Sequence, residues 1–128
     1  MPTAQQGINI SPGLRTALRL AAWACIAALA ILSLAPSIPR TQLGGHSEHV
    51  LAYAGTALIT AVAYSERGAF WIGFALIGYA AALEFLQRFS PGRHSSVEDF
   101  AFSAAGILVG VVVSIVLGKL AQNFRLRH

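Results

Sequence analysis

Side chains that can carry out chemistry are concentrated in two short stretches of an otherwise apolar chain. Four of its five carboxylates fall in these stretches. Carboxylates, imidazoles and guanidinium groups bind anions, transfer protons or hold metals, so two such stretches on one side of the molecule predict a shared polar site. The first stretch contains His46, Glu48 and His49, and the second contains Glu84, Gln87, Arg88, Arg93, His94, Ser95, Ser96, Glu98 and Asp99.

Glu84 is the most unusual of these candidates, because this charged residue directly follows the uncharged run 69–83. An ionisable group within an apolar helix is costly and normally faces a partner or a hydrated cavity. We therefore expect Glu84 to be held by Arg88, Arg93 or His49. The structural alternative is a simple pair with Arg88 four residues later, in the favourable order with the acid first.

Arg93 lies in a Pro-Gly turn just before a predicted helix start. Ser96 and Asp99 fit a capping box, and acidic residues suit the positive end of a helix dipole. Free backbone amides at that end, together with the guanidinium of Arg93, would favour a phosphate or a carboxylate. The alternative for Arg93 is plain anchoring to lipid headgroups.

His49 and Tyr53 are four residues apart and share one face of a predicted helix. As a general base or nucleophile, His49 would act with Glu84 or Asp99 as the acid in an enzyme. The alternative is a hydrogen-bonded packing role. Glu48, Glu84 and Asp99 offer oxygen ligands for a divalent cation, but their spacing matches no metal motif. We predict no metal and no cofactor.

The composition identifies the setting for these residues. Of the 128 residues, 55% are hydrophobic and 11% are charged. A soluble domain carries roughly 25% charged residues, so this chain lacks the charged surface that a soluble protein of its size needs. The net charge of +4 does not indicate nucleic-acid binding, because the basic residues lie singly at the edges of apolar runs. Such positions orient membrane helices.

Four apolar runs of helical length predict an all-α, polytopic membrane protein that forms a bundle of four transmembrane helices. A single domain, 1–128, is expected, with helices at approximately 14–35, 48–64, 69–88 and 98–120. The short link 65–68 makes the second and third helices antiparallel neighbours. Gly106 and Gly110 form a small-xxx-small step that allows helix–helix association within the bundle or between copies.

The distribution of basic residues predicts the orientation. With both termini in the cytoplasm, six basic residues face inward and three face outward, as the positive-inside rule requires. The polar stretches then lie on the outer face. The inner residues are Arg15, Arg19, Arg67, Lys119, Arg125 and Arg127, and the outer ones are Arg40, Arg88 and Arg93.

Several of these motifs, in this order, resemble the VanZ-like family of small bacterial membrane proteins. The resemblance covers about Gly44 to Gly118. Two positions depart from the family pattern: Gly45 and His46 stand where members often have an Asp-Lys pair, and Ser103 stands where an asparagine is common. The matching motifs are His49-Val50-Leu51-Ala52-Tyr53, Glu84-x-x-Gln87, Phe89-Ser90-Pro91-Gly92-Arg93, Asp99 and Gly106-x-x-x-Gly110.

The resemblance implies a multi-pass protein of the bacterial inner membrane. The namesake of the family is associated with resistance to the glycopeptide teicoplanin, and other members accompany genes for the cell envelope or polysaccharides. The ligand class that we expect for the outer polar cluster is a membrane lipid or a lipid-linked envelope precursor, such as a polyisoprenyl-phosphate-linked intermediate.

Three functions follow as hypotheses. The leading one is that the outer polar cluster binds an anionic headgroup, with apolar helix faces accepting the lipid chain. The second is a membrane phosphatase or transferase acting on lipid-linked substrates, and the third is a non-catalytic partner subunit. The candidate ligand-binding residues are Arg93, Arg88, His49, Tyr53, Glu84, Gln87 and Asp99, and the candidate catalytic residues are His49, Glu84 and Asp99.

Overall fold

The protein forms four α-helices in a computed structural model that describes residues 8–36 and 45–127. The helices are α1 (Pro12–Leu34), α2 (Gly45–Ala63), α3 (Ala69–Leu86) and α4 (Val97–Leu126), with single 3-10 turns at Ser65–Arg67 and Gln87–Phe89. No strand occurs in those two ranges, and the all-α prediction is confirmed. We call the end of the bundle at Ser65–Arg67 the hairpin end, and the opposite end, at 87–96, the loop end.

Serine side chains cap the starts of the first and last helices. The Ser11 hydroxyl accepts a hydrogen bond from the Leu14 amide at 3.3 Å, and Pro12 occupies the first helical position. Proline suits that position because its missing N–H would have had no partner there. Ser96 caps α4 in the same way, as its sequence predicts. These local signals explain why both helices begin where they do.

The second helix is the centre of the bundle. It contacts all three other helices, and its contact with α4 is the most extensive. A Cβ atom added at Gly106 would collide with the Val50 backbone, and one added at Gly110 would collide with the Ala54 backbone. Both glycines therefore pack against α2 of the same chain and allow the two backbones to approach closely. The core beside them includes Tyr53, Ala57, Leu83, Ile107 and Val111.

Three helical segments are long and apolar enough to cross a bilayer: α1, the segment 69–89 that contains α3, and α4. Large apolar side chains cover their outer surfaces, as in a helix bundle surrounded by lipid. The chain therefore has the features of a multi-pass membrane protein. The exposed side chains include Trp23, Ile31, Trp71, Phe74, Leu108 and Val112.

The second helix is not among the segments that meet this criterion. Its first turns contain His46, Glu48 and His49, which lower its apolar character. A helix surrounded by protein needs less apolar surface than one that faces lipid, because its polar groups bond to neighbouring helices. The crossing of the membrane by α2, and hence the four-span bundle, stays a prediction.

At the hairpin end, Arg19 of α1 holds the link between α2 and α3. Its Nε atom donates to the carbonyl of Ala63 at 3.3 Å, and its Nη2 atom pairs with the Glu66 carboxylate. The guanidinium carbon lies 4.7 Å from the centroid of the Tyr64 ring. Arg15, one turn earlier, lies 3.7 Å from the same carboxylate. This end is therefore closed by a direct cluster of arginine and glutamate.

Candidate functional site

His49 is connected to the start of α4 through a serine hydroxyl. The Nδ1 atom of His49 lies 3.2 Å from Ser103 Oγ, and Ser103 Oγ donates to the backbone carbonyl of Asp99 at 2.9 Å. With the single hydroxyl hydrogen on this carbonyl, Ser103 accepts from the Nδ1–H of the imidazole, one of the two tautomers open to His49. In neutral His49 the lone pair is then on Nε2. His49 can accept a proton or a hydrogen bond there.

Tyr53 is packed behind His49. The two rings stack with centroids 6.3 Å apart, and Tyr53 is only 4% exposed. Its hydroxyl interacts with the side chains of Ser33 on α1 and Ser103 on α4. Tyr53 therefore connects three helices, and its burial keeps it from making first contact with a ligand outside the bundle.

His46 lies one turn before His49, beside the acidic first turn of α4. Its Nε2 atom is 3.7 Å from Glu98 Oε1 and 3.7 Å from Asp99 Oδ1. Its ring stacks on Phe102 with a centroid distance of 4.3 Å. Protonation of His46 would give it two carboxylate partners. Within the described residues, no group of three histidine, cysteine, aspartate or glutamate side chains is placed to hold a metal ion.

Glu84 binds the backbone at the start of α4. Its Oε1 atom accepts a hydrogen bond from the Ser96 amide at 2.5 Å, while the Ser96 hydroxyl accepts from the amides of Glu98 and Asp99 at 3.2 and 3.4 Å. In an ordinary capping box the side chain three residues after the cap makes the bond to the cap amide. Here Glu84 of α3 takes that place, and the Asp99 carboxylate lies beside His46 instead.

The prediction that Arg88, Arg93 or His49 holds Glu84 is therefore wrong for the described part of the chain. The physical reason is that α3 ends at Leu86 and continues as a 3-10 turn. A 3-10 turn has three residues per turn, so Arg88 is rotated away from the helical face of Glu84. Arg88 donates through Nε to the Ser95 hydroxyl at 3.2 Å instead.

Arg93 binds the end of α1. Its Nε atom donates to the Ala35 carbonyl at 3.0 Å, and its Nη2 atom donates to the Leu32 carbonyl at 2.6 Å. The last carbonyls of a helix lack partners within the helix and carry partial negative charge, so a guanidinium suits them. The turn before Arg93 uses Gly92 with a φ of 75°, a conformation that favours glycine. Arg93 thus ties α1 to the α3–α4 connection.

The amides that would attract an anion to the start of α4 are already engaged by Ser96 and Glu84. The amides of Ser96, Glu98 and Asp99 are therefore not free for an anion beside Arg93, contrary to what the sequence had led us to expect. Arg93 as a ligand-binding residue stays a prediction, and three of its five N–H groups make no bond to another described residue.

Arg88 is the exposed cation of the loop end. Apart from the bond to Ser95, its guanidinium carbon lies 5.6 Å from the centroid of the Phe85 ring. Neither Nη atom has an acceptor among the residues that the structure describes. Phe85 and Phe89 beside it are 55% and 74% exposed. Arg88 therefore combines fixed geometry with unused donors.

The structure brings the predicted residues together only in part. His49 reaches Asp99 through Ser103 and the Asp99 backbone, and Glu84 bonds to the backbone of Ser96, so the three candidate catalytic residues are not hydrogen-bonded to one another. Gln87 is buried at the end of α3. Arg40 and Gly44, which the orientation and the resemblance include, lie outside the described residues.

Ser103 is the residue of this site whose role the sequence analysis missed. It is 1% exposed and joins α2 to α4. Its position gave a usable signal: it lies four residues after Asp99 and three before Gly106, on the face of α4 that the two glycines turn toward α2.

Comparisons with protein-family models, curated proteins and solved structures give no match for this chain.

Proposed function

We propose that this chain is a multi-pass protein of the bacterial inner membrane, resembling the VanZ-like family, whose loop end binds the anionic headgroup of a lipid-linked envelope precursor. The observation that carries the proposal is the state of Arg88. Its guanidinium is held by Ser95 and Phe85, while both Nη atoms have no acceptor among the described residues. Two parallel N–H groups of this kind match the oxygen atoms of a phosphate.

The apolar surroundings of Arg88 support a ligand that carries a lipid chain. Phe85 and Phe89 are exposed and pack edge to face with centroids 5.7 Å apart. Exposed phenylalanine rings offer an apolar surface on which a hydrocarbon chain can be buried. Arg88 would bind the phosphate of a polyisoprenyl phosphate, and the two rings would contact its hydrocarbon chain.

In this proposal the other candidate residues act mainly by position. Arg93 fixes α1 against the loop and contributes its remaining N–H groups as a second phosphate contact. Glu84 holds the first residue of α4, and Asp99 faces His46. The Nε2 atom of His49 is available as a hydrogen-bond acceptor for a protonated headgroup oxygen or a sugar hydroxyl. Tyr53 and Gln87 are buried and support the helices that carry these groups.

The proposal includes four membrane crossings with both termini in the cytoplasm. It is supported by a contact between the two described ends of the chain, in which Arg125 donates to the Asn9 carbonyl at 3.1 Å. An even number of crossings brings the ends to one side. Labelling of a Ser95→Cys variant that lacks Cys25 tests the orientation. A membrane-impermeant thiol reagent should label intact cells, and labelling only after permeabilisation would contradict the proposed orientation.

Binding is tested with a long-chain polyisoprenyl phosphate in nanodiscs of neutral lipid, measured by native mass spectrometry. The uncharged polyisoprenol is the reference ligand, and Arg67→Gln, which removes an exposed charge at the hairpin end, is the matched control variant. Loss of a charge-assisted bond is expected to weaken phosphate binding by about tenfold in Arg88→Gln. The proposal would be overturned if Arg88→Gln and Arg67→Gln bound the phosphate equally well. It would also be overturned if the protein did not prefer the phosphate to the alcohol.

The enzyme hypothesis has one observation in its favour, the contact of His49 Nδ1 with Ser103, which suits the tautomer with its lone pair on Nε2. A neutral histidine with a fixed tautomer is suited to act as a general base. The hydroxyl beside it, Ser103, is 1% exposed and does not act as a nucleophile toward a ligand outside the bundle. Phosphate release from a polyisoprenyl diphosphate, lost in His49→Gln but retained in Arg67→Gln, would favour the enzyme. Binding without turnover favours the headgroup-binding protein. If the chain shows neither binding nor turnover, only the partner-subunit hypothesis is left.

A further inference from the structure

A cavity of about 160 Å³ lies at the hairpin end, opposite the proposed headgroup site. It is formed where the end of α2, the start of α3 and the C-terminal half of α4 meet. The N-terminal segment closes one wall, where Ile8 lies 3.9 Å from the position that a Cβ at Gly118 would occupy. Arg125 fastens that segment to α4 through its bond to Asn9. The cavity is therefore a built feature of the fold with walls from four segments.

The wall of the cavity contains a buried hydroxyl without a partner. Ser65 Oγ is enclosed by protein and makes no hydrogen bond in the part of the chain that the structure describes. Buried polar atoms are almost always bonded, so a native group that is not bonded calls for an explanation. The other serine of the wall, Ser114, donates to the carbonyl of Val111 at 2.7 Å within its own helix. Of these two serines, Ser65 is the one whose hydroxyl has no partner among the described residues, and its oxygen lies beneath the surface of the cavity.

A cation also lines this cavity. Lys119 lines the cavity, and its ammonium group makes no hydrogen bond or ion pair with another described residue. Its situation differs from that of Arg15 and Arg19 at the same end, which both reach Glu66. The wall of the cavity therefore includes a cation and a serine hydroxyl, and neither has a partner among the described residues.

The cavity is polar near the end of the bundle and apolar one helical turn deeper. Ser65 and Lys119 lie toward the end of the bundle, while Ala61 and Ile115, one turn deeper in α2 and α4, line the apolar part. An engineered cavity of about 150 Å³ holds a benzene molecule, so this space accommodates a small head and the first carbons of a chain. The remainder of a longer chain would continue along the lipid-facing surface.

We propose that this cavity binds the head of a single-chain anionic amphiphile. The shared chemistry is an anionic oxygen group on an alkyl chain, which a fatty acid supplies as a carboxylate and an alkyl phosphate supplies as a phosphate. Lys119 pairs with the anion, the Ser65 hydroxyl rotates about χ1 to donate a hydrogen bond to it, and the alkyl chain occupies the apolar part beside Ala61 and Ile115. The site is separate from the loop end and does not depend on the function proposed for it.

The test measures binding of dodecanoate, dodecyl phosphate and dodecanol to the full chain in a maltoside detergent, by thermal unfolding and native mass spectrometry. Both anions are expected to bind and to raise the unfolding temperature, and the neutral alcohol is not. Stronger binding of dodecanoate identifies a carboxylate site, and stronger binding of dodecyl phosphate identifies a phosphate site. Equal binding of all three compounds would overturn the proposal.

Three variants separate the parts of the site. Lys119→Gln should weaken anion binding by about tenfold, whereas Arg67→Gln, the matched loss of charge outside the cavity, should not. Ser65→Ala should weaken binding while the unliganded protein stays at least as stable, because an unpaired buried hydroxyl is removed. Gly118→Leu fills the cavity without a backbone clash and should abolish binding with an unchanged unfolding temperature. Full binding by Gly118→Leu or by Lys119→Gln would contradict the assignment.

Discussion

The two ends of the bundle use the same residue types in different ways. At the hairpin end, Arg19 and Glu66 pair directly with each other, and Arg15 approaches the same carboxylate. At the loop end, Arg93 and Glu84 do not pair. Arg93 binds the carbonyls at the end of α1, and Glu84 binds the first amide of α4.

The difference follows from what each end must satisfy. The loop end contains the end of α1 and the start of α4, where carbonyl and amide groups lack helical partners and carry opposite partial charges. An arginine on the carbonyls and a glutamate on the amide satisfy both helix ends. At the hairpin end Arg19 also reaches a helix-end carbonyl, that of Ala63, but Glu66 pairs with Arg15 and Arg19 of α1 and caps no helix amide in the described residues. At the loop end this arrangement leaves Arg88 without a carboxylate partner among the described residues, and so available to a ligand.

The largest expected effect comes from the close contact between α2 and α4, the helices that connect the two ends of the bundle. A Cβ atom in Gly110→Ala would overlap the backbone at Ala54, which cannot move without shifting α2. Forced overpacking of this kind costs typically about 1 to 3 kcal/mol, and we expect at least about 3 here because the obstacle is backbone. Gly55→Ala, with nothing within 4 Å of the new Cβ, is the control. Equilibrium unfolding in detergent measures both, and equal stability of the two variants would refute the packing argument.

Glu84→Ala is expected to have the next largest effect, because it leaves the Ser96 amide without its partner at a part-buried position. An unsatisfied group of this kind costs about 1 to 3 kcal/mol. Glu84→Gln keeps an acceptor oxygen and should recover part of that loss. The same unfolding experiment, combined with amide hydrogen exchange at the first turn of α4, measures the effect. Unchanged exchange in Glu84→Ala would show that Glu84 does not cap this helix.

Much of the fold was predictable because its causes are local. The apolar runs determine where helices form, and the Ser96 cap and Pro12 mark two helix starts within a few residues. Close packing of α4 against another helix was also indicated by Gly106 and Gly110, since small residues allow close approach, but the sequence did not identify α2 as that helix. The extension of α4 to Leu126 was not predicted, because polar residues with good helix propensity follow its apolar part.

The site was less predictable because its bonds join distant segments. Arg93 binds carbonyls 58 and 61 residues earlier in the chain. No spacing rule within a helix describes such a contact. The pair expected for Glu84 and Arg88 did apply such a rule, but it assumed that α3 remains α-helical through Arg88, and the 3-10 turn removes that assumption. Identifying charged residues from sequence was sound, whereas assigning their partners required the arrangement of the helix ends.

Arg93→Lys is expected to have a moderate effect on the loop end. Lysine keeps the charge but presents a single ammonium group in place of the planar guanidinium, so it cannot reach both Leu32 and Ala35 with the same geometry. Loss of one bond from a charged group costs about 1 to 2 kcal/mol. Arg125→Lys, which changes one exposed bond to Asn9, is the control. Arg93→Lys with wild-type unfolding would show that these carbonyl bonds do not stabilise the protein.

The smallest effect is expected at the hairpin end, and its dependence on salt distinguishes the two ends. Glu66→Gln removes the charge that pairs with Arg15 and Arg19, but these side chains are 32 to 38% exposed. Exposed ion pairs contribute about 0.2 to 1 kcal/mol and are screened by salt, so the loss should shrink as ionic strength rises. The loss in Glu84→Ala should stay nearly constant over the same range, since its partner is a part-buried backbone amide. Measuring both variants at low and high salt tests this directly. If the two losses fall in parallel, both ends depend on exposed charge pairing, and the distinction between them is wrong.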